Sequence, residues 1–293
     1  MSATPPRVAI ATCAEVAELD ADGQALVHEL GRLGAQAVPA VWDDPEVAWG
    51  AFDVVVVRST WDYAERRKAY LAWAEAVTSV TRLVNPVEAL RWNTDKRYLA
   101  DLAARGVPVV PTTFVEPGQP VVLPTAEELV VKPAVSAGAR DTARYAQADA
   151  DLARAHAEAL LAAGRTVALQ PYLETVDRAG ETALVYLDGR FSHALRKGPL
   201  LERGGGPVEG LFAIEDIAAR VATPAQRAVG DRALAEVQRR FGTPAYARVD
   251  LLPGPDAVPL LLELELTEPS LFLAEGGASA APLAAALLRA LPR

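Results

Sequence analysis

Cysteine and histidine are scarce in this chain. Its 293 residues include one cysteine, Cys13, and three histidines, at positions 28, 156 and 193. A single cysteine excludes disulfides within the chain, and it excludes zinc sites built from four cysteines or from two cysteines and two histidines. The histidines lack the spacing of metal ligands. We therefore expect Cys13 to be an ordinary residue at the end of a strand.

Long apolar runs and basic runs are also missing. No segment approaches the ~20 apolar residues that span a bilayer, and the N-terminal "MSATPPRVAIATCA" lacks the apolar stretch of a signal peptide. The formal net charge is −9 and the basic residues are dispersed, whereas a protein that follows a phosphate backbone needs a basic stripe. We predict a cytoplasmic protein without a membrane or nucleic-acid partner, and a homo-oligomer is left open.

Lysine is rare, since only four of the 29 basic residues are lysines. An ammonium is a compact point charge that a guanidinium replaces poorly, so each lysine position is informative. Taken singly, each would be interpreted as a solvated surface residue. However, Lys96, Lys132 and Lys197 all lie at the ends of predicted elements near loops, which together favours an anion-binding site. Lys68 lies inside a charged helical run and is predicted to be solvated.

The order of strand and helix patterns predicts two kinds of architecture. Strand patterns at 7–12, 35–42 and 52–63 alternate with helix patterns at 22–33 and 63–80, which is typical of a parallel α/β sheet. The remainder mixes strand and helix patterns without that alternation and predicts α+β architecture. Its strand patterns lie at 107–115, 128–133, 166–174, 182–197 and 245–252, and its helix patterns at 93–106, 149–163, 223–242 and 281–291. The helix at 93–106 would place Lys96 in its first turn.

The apolar run "LLLELELTEPSLFL" (260–273) contains acids. Strand side chains alternate between faces, so Glu263 and Glu265 share one face with Cα atoms ~7 Å apart. Asp250 would lie beside them if the strand "AYARVDLL" paired with this run through the "PGPD" loop. Buried carboxylates are usually paired or bound to metal, and ligation by oxygen alone suits Mg²⁺, including two bridged ions. The alternative is a half-exposed strand whose glutamates face water, and Glu268 is predicted to be a turn or supporting residue.

A loop of small residues follows Lys132. Ser136 and Gly138 belong to this loop, which would allow close approach of a phosphate to the backbone. No GxxxxGK[ST] or GxGxxG motif is present, so the usual nucleotide fingerprints are absent. The GxSxG motif of hydrolases and the kinase catalytic-loop motif are absent as well.

Several motifs in a fixed order resemble the ATP-grasp superfamily: "NTDKRYL", "ELVVKP", "LQPYLE", then Asp250 and the pair Glu263-x-Glu265. The segments "VWDDPEVAW", "VVRSTWDY" and "RWNTDKRYL" are similar to its glutathione-synthetase-like branch, which contains the O-ureidoserine cyclase of cycloserine biosynthesis. The resemblance implies an ATP-grasp fold. An N-terminal parallel α/β domain (1–90) would help to bind substrate. A lid subdomain with a central helix (91–170) and a C-terminal subdomain with the magnesium site (171–293) would clamp ATP.

The resemblance also implies an activity. ATP-grasp enzymes are ADP-forming, Mg²⁺-dependent ligases that activate a carboxylate as an acyl phosphate for attack by a nucleophile, commonly an amine. The implied cofactors are ATP and Mg²⁺, with two ions expected and Mn²⁺ as a substitute, and the implied substrate is a small amino-acid-like molecule. Cyclisation of O-ureidoserine to cycloserine is the specific expectation. A ligase for another substrate, a small-molecule kinase and a nucleotide-binding module without turnover are the alternatives.

The resemblance assigns roles to particular residues of the nucleotide and metal sites. Lys96 and Lys132 are expected to contact ATP phosphates. Adenine is expected at a hinge formed by residues 170–173, the ribose is expected at Glu174, and metal is expected at the three acids. The expected nucleotide set is Lys96, Lys132, Ser136, Gly138, Gln170, Tyr172, Leu173 and Glu174, and the expected metal set is Asp250, Glu263 and Glu265. Many members carry asparagine in place of Glu265.

Substrate residues are predicted from position. Ligands of open α/β sheets bind beyond the carboxyl ends of the strands, where Arg58, Ser59 and Asp62 follow the run "VVVV". Arg58 would pair with a carboxylate and Asp62 with an ammonium, although Ser59 and Asp62 could instead cap the next helix. Arg248 is predicted to bind a carboxylate or the acyl phosphate, with Lys197 as a further catalytic cation. Trp61 and Tyr63 are assigned to packing, and the loop "ERGGGP" (202–207) is a candidate lid.

Overall fold

The first third of the chain folds into a four-stranded parallel sheet, as the alternating pattern predicts. The computed structural model describes residues 4–210 and 216–291. The sheet has the order β2-β1-β3-β4, and all of its pairings are parallel. Its elements are β1 (Arg7–Thr12), α1 (Ala21–Arg32), β2 (Gln36–Val41), β3 (Val54–Ser59), α2 (Arg67–Val80) and β4 (Arg82–Val84). The strand β3 is buried along its whole length, which explains its unbroken apolar run.

The sequence predicts a single helix at 93–106, but the predicted start of this helix is wrong. Two short helices, α3 (Val87–Asn93) and α4 (Tyr98–Ala104), flank a turn that contains Lys96. Tertiary hydrogen bonds replace helical ones at this turn: the Asn93 side chain donates to the Leu264 carbonyl at 2.7 Å. The Lys96 amide donates to the Ala134 carbonyl at 2.8 Å. Lys96 is therefore positioned by two other parts of the fold rather than by a helix.

A second sheet is antiparallel and has the order β5-β8-β6-β7. It consists of β5 (Thr113–Val115), β6 (Glu128–Pro133), β7 (Ala143–Ala146) and β8 (Val167–Pro171), with α5 (Ala150–Ala162) packed on one face. The strand β6 ends at Lys132 and Pro133, as predicted, because proline has no N–H for a further ladder bond. This sheet therefore brings Lys132 to its edge beside the loop of small residues.

The third sheet is antiparallel, with the order β11-β10-β9-β12-β13. Its elements are α6 (Thr175–Ala179), β9 (Glu181–Leu187), β10 (Arg190–Lys197), β11 (Ile217–Arg220), α7 (Pro224–Phe241), β12 (Tyr246–Pro253) and β13 (Pro259–Glu265), and α8 (Ala281–Arg289) ends the described chain. The strand pattern at 182–197 forms two strands, β9 and β10, which a turn at Asp188-Gly189 joins. The "PGPD" loop joins β12 to β13, so the predicted hairpin is confirmed.

A continuous apolar core connects the first and third sheets. It contains Val8 and Val54 from the first sheet, Val185 and Leu195 from the third, and residues of α8 such as Leu287. The two sheets are therefore held at a fixed distance from one another, and a cavity between them has rigid walls. The division of the chain at residues 90 and 170 stays a prediction.

Asp22, near the start of α1, holds the loop that follows β13. Its carboxylate accepts hydrogen bonds from the backbone N–H groups of Leu271, Phe272 and Leu273 at 2.7, 2.8 and 2.9 Å. We expect Asp22→Ala to lower the free energy of unfolding by about 3 kcal/mol, because three buried donors lose a charged acceptor. Denaturant unfolding measures this. Glu29→Ala, which removes a surface ion pair on the same helix, should cost below about 0.5 kcal/mol. Equal losses in both variants would contradict the assignment.

Across residues 4–210 and 216–291, none of the helices combines the length and the apolar composition that a membrane span requires. Cys13 is buried immediately after β1, as expected. Burial raises the pKa of its thiol to about 11. The thiolate is therefore scarce near neutral pH, and Cys13 is a packing residue.

Candidate active site

A cavity of about 630 Å³ lies where the three sheets meet. The second sheet contributes Lys132 and Gln170, the third contributes the acidic faces of β12 and β13, and the first sheet contributes residues that follow its strands β1 and β3. All four of the predicted cations Lys96, Lys132, Lys197 and Arg248 line this cavity. The loop residues Ser136 and Gly138 do so as well. Motifs that are far apart in the sequence therefore meet at one cavity in the fold.

Two lysines lie side by side at the edge of the second sheet. The Lys96 ammonium donates to the Ser136 carbonyl at 3.0 Å and pairs with Glu263 Oε1 at 2.9 Å. Burial lowers the pKa of Lys96, but the carboxylate of Glu263 outweighs burial and the pKa is raised. Lys132 has no hydrogen bond or ion pair to any described residue, and burial lowers its pKa to about 8. A buried cation without a partner is suited to an anionic ligand.

The structure places the predicted adenine hinge and the predicted ribose residue differently. Gln170, Tyr172 and Leu173 line the cavity, and the Gln170 amide donates to Thr112 Oγ1 at 2.8 Å. Glu174 does not line it and is exposed. Its side chain therefore stands away from the cavity where the hinge turns into α6, and its expected contact with a ribose has no support from this geometry.

The carboxylates predicted to bind metal lie on one face of the β12–β13 ladder. Asp250 is directly opposite Glu263, and Arg248 is opposite Glu265. The Arg248 guanidinium donates to both oxygens of Asp250, with Nε–Oδ1 and Nη2–Oδ2 distances of 2.9 Å. It also pairs with Glu265. Lys197 Nζ lies 3.3 Å from Asp250 Oδ2. The alternative of two glutamates facing open water is wrong, because each is paired with a cation in the cavity.

These ion pairs determine the ionisation of the acids. Burial raises the pKa of Asp250 and Glu263, but nearby cations outweigh it and both pKa values are lowered. The cations are Arg248 and Lys197 for Asp250, and Lys96 and Lys132 for Glu263. Burial raises the pKa of Glu265 to about 7, with Glu263 and Asp250 adding to the shift. Asp250 and Glu263 are thus held as carboxylates, the form that binds a metal ion.

The acids do not form a preassembled metal cluster. Among the described residues, no three histidine, cysteine, aspartate or glutamate side chains are grouped so as to hold a metal ion. The donor chemistry nevertheless fits Mg²⁺, since the set offers only carboxylate oxygen and two members are held ionised. Each carboxylate now faces Lys96, Lys197 or Arg248, so a divalent cation would compete with these internal cations.

The residues predicted to bind substrate at the end of β3 and just after it do not line the cavity. Arg58 is 2 % exposed and its Nη2 donates to the Pro269 carbonyl at 2.7 Å. Ser59 bonds to the Thr12 hydroxyl. Asp62 accepts a hydrogen bond from the Trp42 indole at 2.8 Å. Ser59 and Asp62 turn toward neighbours of the first sheet and Arg58 toward the loop after β13, so the expected direct substrate contacts have no support from this geometry.

The cavity wall near β3 is formed instead by Trp61 and Tyr63, which the sequence assigned to packing. A third residue of this wall, Glu268, was predicted to be a turn or supporting residue, yet it lines the cavity and is only 7 % exposed. Burial and the nearby charge of Glu265 raise the pKa of Glu268 well above its ordinary value. The only sequence signal was an acid beside proline at the end of an apolar run.

Comparisons with known proteins identify the family of this chain. Residues 8–85 match the family model of the N-terminal domain of the D-cycloserine synthetase DcsG. The chain is 42% identical over 278 residues to the cycloserine biosynthesis protein DcsG of Streptomyces lavendulae, covering 91% of this chain and 92% of that protein. The chain belongs to the DcsG family. A crystal structure of D-cycloserine synthetase DcsG superposes with a TM-score of 0.90 at 42% identity, covering 98% of this chain and 100% of that one.

The fold extends beyond the DcsG family. The ATP-grasp ligase PsnB, solved with minimal precursor, Mg and ADP, superposes with a TM-score of 0.60 at 19% identity, covering 96% of this chain and 97% of that one. The ATP-grasp fold predicted from the motifs is therefore confirmed. The predicted class of enzyme, an ATP-grasp ligase, is confirmed as well.

Proposed function

We propose that this chain is an ATP-dependent, ADP-forming synthetase of antibiotic biosynthesis that closes O-ureidoserine into the cycloserine ring. One observation carries the proposal. Four buried cations and the three carboxylates of the expected metal set converge on one cavity at the junction of three sheets, in a chain 42% identical to the DcsG protein. Cations for phosphate and carboxylates for a hard metal ion are what phosphoryl transfer from ATP to a carboxylate requires.

The roles of the residues follow from their contacts. Lys132, buried and unpaired, and Lys96 would hold phosphate oxygens, with Ser136 and Gly138 at the same edge of the second sheet. Gln170, Tyr172 and Leu173 would surround the base of the nucleotide. Asp250, Glu263 and Glu265 would hold Mg²⁺, which when bound neutralises charge on the phosphoryl oxygens. Two ions, and Mn²⁺ as a substitute, stay predictions.

The chemistry needs a carboxylate held in line with the terminal phosphorus of ATP. Arg248 is fixed by Asp250 on its own strand and by Glu265 on the neighbouring strand. Its guanidinium therefore enters the reaction already oriented, and an anionic substrate group can be bound at a defined position. Lys197, 3.3 Å from Asp250, adds positive charge where negative charge accumulates on the phosphoryl group.

A loop from the third sheet reaches the second sheet across the cavity. Leu200 and Leu201 line the cavity, and Arg203 Nε lies 2.7 Å from Glu128 Oε1. The Val208 amide donates to the Thr142 carbonyl at 3.0 Å, which fixes the far end of the loop. This docking supports the prediction that residues 202–207 cover the nucleotide and exclude water.

We expect Arg203→Ala to raise the KM for ATP about fivefold with a smaller change in kcat, because an exposed ion pair contributes up to about 1 kcal/mol. Steady-state kinetics at saturating substrate measures both constants. Arg178→Ala, which removes another arginine from the same region without affecting this ion pair, serves as the control. An unchanged KM in Arg203→Ala would remove the docked loop from the binding of ATP.

The deciding experiment incubates the protein with Mg-ATP and O-ureidoserine, and in parallel with panels of other amino acids and amines. We expect ADP release that depends on O-ureidoserine, a cyclic product detected by mass spectrometry, and loss of both with EDTA. ADP release only with a separate carboxylate and amine would indicate a ligase for another substrate. A stable phosphorylated product would indicate a kinase, and binding of ATP without turnover would indicate a binding module. The oligomeric state and the cytoplasmic location stay predictions.

A further inference from the structure

The loop after β13 is fixed to segments around the first sheet by successive contacts with its backbone. The Trp61 indole donates to the Glu268 carbonyl at 3.0 Å, and Arg58 donates to the Pro269 carbonyl at 2.7 Å. Further along the loop, the Asp22 carboxylate accepts hydrogen bonds from the backbone N–H groups of residues 271–273. A loop held at this many points has a defined conformation, and so the direction of its side chains is defined as well.

The third sheet fixes the same loop from the other side. Arg248 Nη1 donates to the Ser270 carbonyl at 3.0 Å. His193 Nε2 lies 2.8 Å from the Leu271 carbonyl. The carbonyl groups of residues 268, 269, 270 and 271 are thus all engaged by side chains from distant parts of the chain. Such complete fixation is characteristic of segments that position a functional group.

Glu268 is the side chain that this fixed loop presents to the cavity. It is 7 % exposed and lines the cavity beside Trp61 and Tyr63. Its carboxyl group has no hydrogen bond or ion pair with any described residue, whereas Asp250, Glu263 and Glu265 are all paired with cations. A buried carboxyl group without a partner costs stability, so its retention points to a ligand.

We propose that Glu268 contacts the attacking nitrogen of the substrate and accepts its proton. The inference rests on the proposed function and deepens it, since it assigns a subsite for an N–H donor: an amine, amide or ureido nitrogen. Trp61 and Tyr63 would form the flat walls of this subsite. The cations Arg248 and Lys197, which line the same cavity, would face the acyl phosphate, so the nucleophile would meet a proton acceptor and the electrophile would meet cations.

The step balances without a further reactant. The nitrogen lone pair forms a bond to the carbonyl carbon of the acyl phosphate, and the N–H proton passes to an oxygen of Glu268. The bond between the carbonyl carbon and the phosphate oxygen breaks, and its electron pair leaves with the phosphate. The proton then passes from Glu268 to the departing phosphate, which restores the carboxylate.

Glu268→Gln separates the two halves of the reaction. It keeps the size and a hydrogen-bonding oxygen but cannot take up a proton. With hydroxylamine present, acyl phosphate is trapped as a hydroxamate without help from a base. We expect hydroxamate formation within about threefold of wild type, and formation of the cyclic product to fall at least about 100-fold, the range of general base catalysis. Glu268→Asp should recover part of the cyclisation.

Two further measurements secure the interpretation. Without ligands, Glu268→Gln should melt at or above the wild-type temperature, because an unpaired buried carboxyl group is removed. Glu88→Gln, which removes an exposed carboxylate of α3 away from the cavity, should leave both reactions within about threefold of wild type.

The inference is overturned if Glu268→Gln cyclises at a rate near wild type, or if it loses both reactions by the same factor. If the wild-type protein forms neither ADP nor hydroxamate, the proposed function is contradicted, and this inference is contradicted as well. That result is measured with the wild-type protein alone, so it can be distinguished from a result that contradicts only the role of Glu268.

Discussion

Replacement of Glu263 by glutamine is expected to lower ADP release at least about 1,000-fold. Glu263 is paired with the Lys96 ammonium at 2.9 Å and is opposite Asp250 in the β12–β13 ladder. The variant removes one of the two carboxylates that neighbouring cations hold ionised. The affinity of the site for a divalent cation should therefore fall. Loss of a positioned charge at a site of phosphoryl transfer removes several kcal/mol of transition-state stabilisation. A coupled assay of ADP release measures the effect.

A titration with Mg²⁺ separates loss of metal binding from loss of structure. The variant should need a higher Mg²⁺ concentration for half-maximal rate, which a purely structural defect would leave unchanged. Its free energy of unfolding should also fall, because the buried Lys96 ammonium loses its partner. Glu127→Gln replaces an exposed carboxylate just before β6 with an amide. This control variant should behave as wild type. A Glu263→Gln protein with normal turnover and a normal Mg²⁺ requirement would remove Glu263 from the metal site.

The sequence predicts the local parts of this site well. The pairing of β12 with β13 follows from a turn-forming "PGPD" segment between two apolar runs, and this pairing alone places Asp250 opposite Glu263. Lys132 at the end of β6 follows from the proline after it. These predictions succeed because each depends on residues within one hairpin or one strand, where propensity and side-chain alternation determine the geometry.

Contacts between distant segments determine what the sequence could not predict. The helix predicted at 93–106 is interrupted because Asn93 bonds to β13, about 170 positions away along the chain. Arg58 was expected in the substrate site, but its guanidinium turns to the Pro269 carbonyl. Glu268 reaches the cavity only because Trp61 and Asp22 fix its loop. No periodicity or motif encodes such contacts, and tertiary structure overrides local preference at all three places.

Lys132→Met is expected to abolish turnover and yet to stabilise the protein. The Lys132 ammonium is buried without a partner among the described residues, and burial lowers its pKa to about 8. Since each pKa unit is worth about 1.4 kcal/mol, the charged lysine costs about 3 kcal/mol of stability at neutral pH. Methionine removes this cost, but it also removes a phosphate-binding charge, so ADP release should fall about 100- to 1,000-fold.

The pH dependence of the stability gain identifies its cause. A lysine with a lowered folded-state pKa destabilises the native state fully below that pKa, and the penalty fades as pH rises toward the unfolded value of 10.5. The advantage of Lys132→Met over wild type should therefore be largest below pH 8 and shrink toward pH 10 in denaturant titrations. Lys68→Met, at the exposed lysine of α2, should change neither stability nor turnover. Normal turnover in Lys132→Met would show that the phosphates of ATP bind elsewhere.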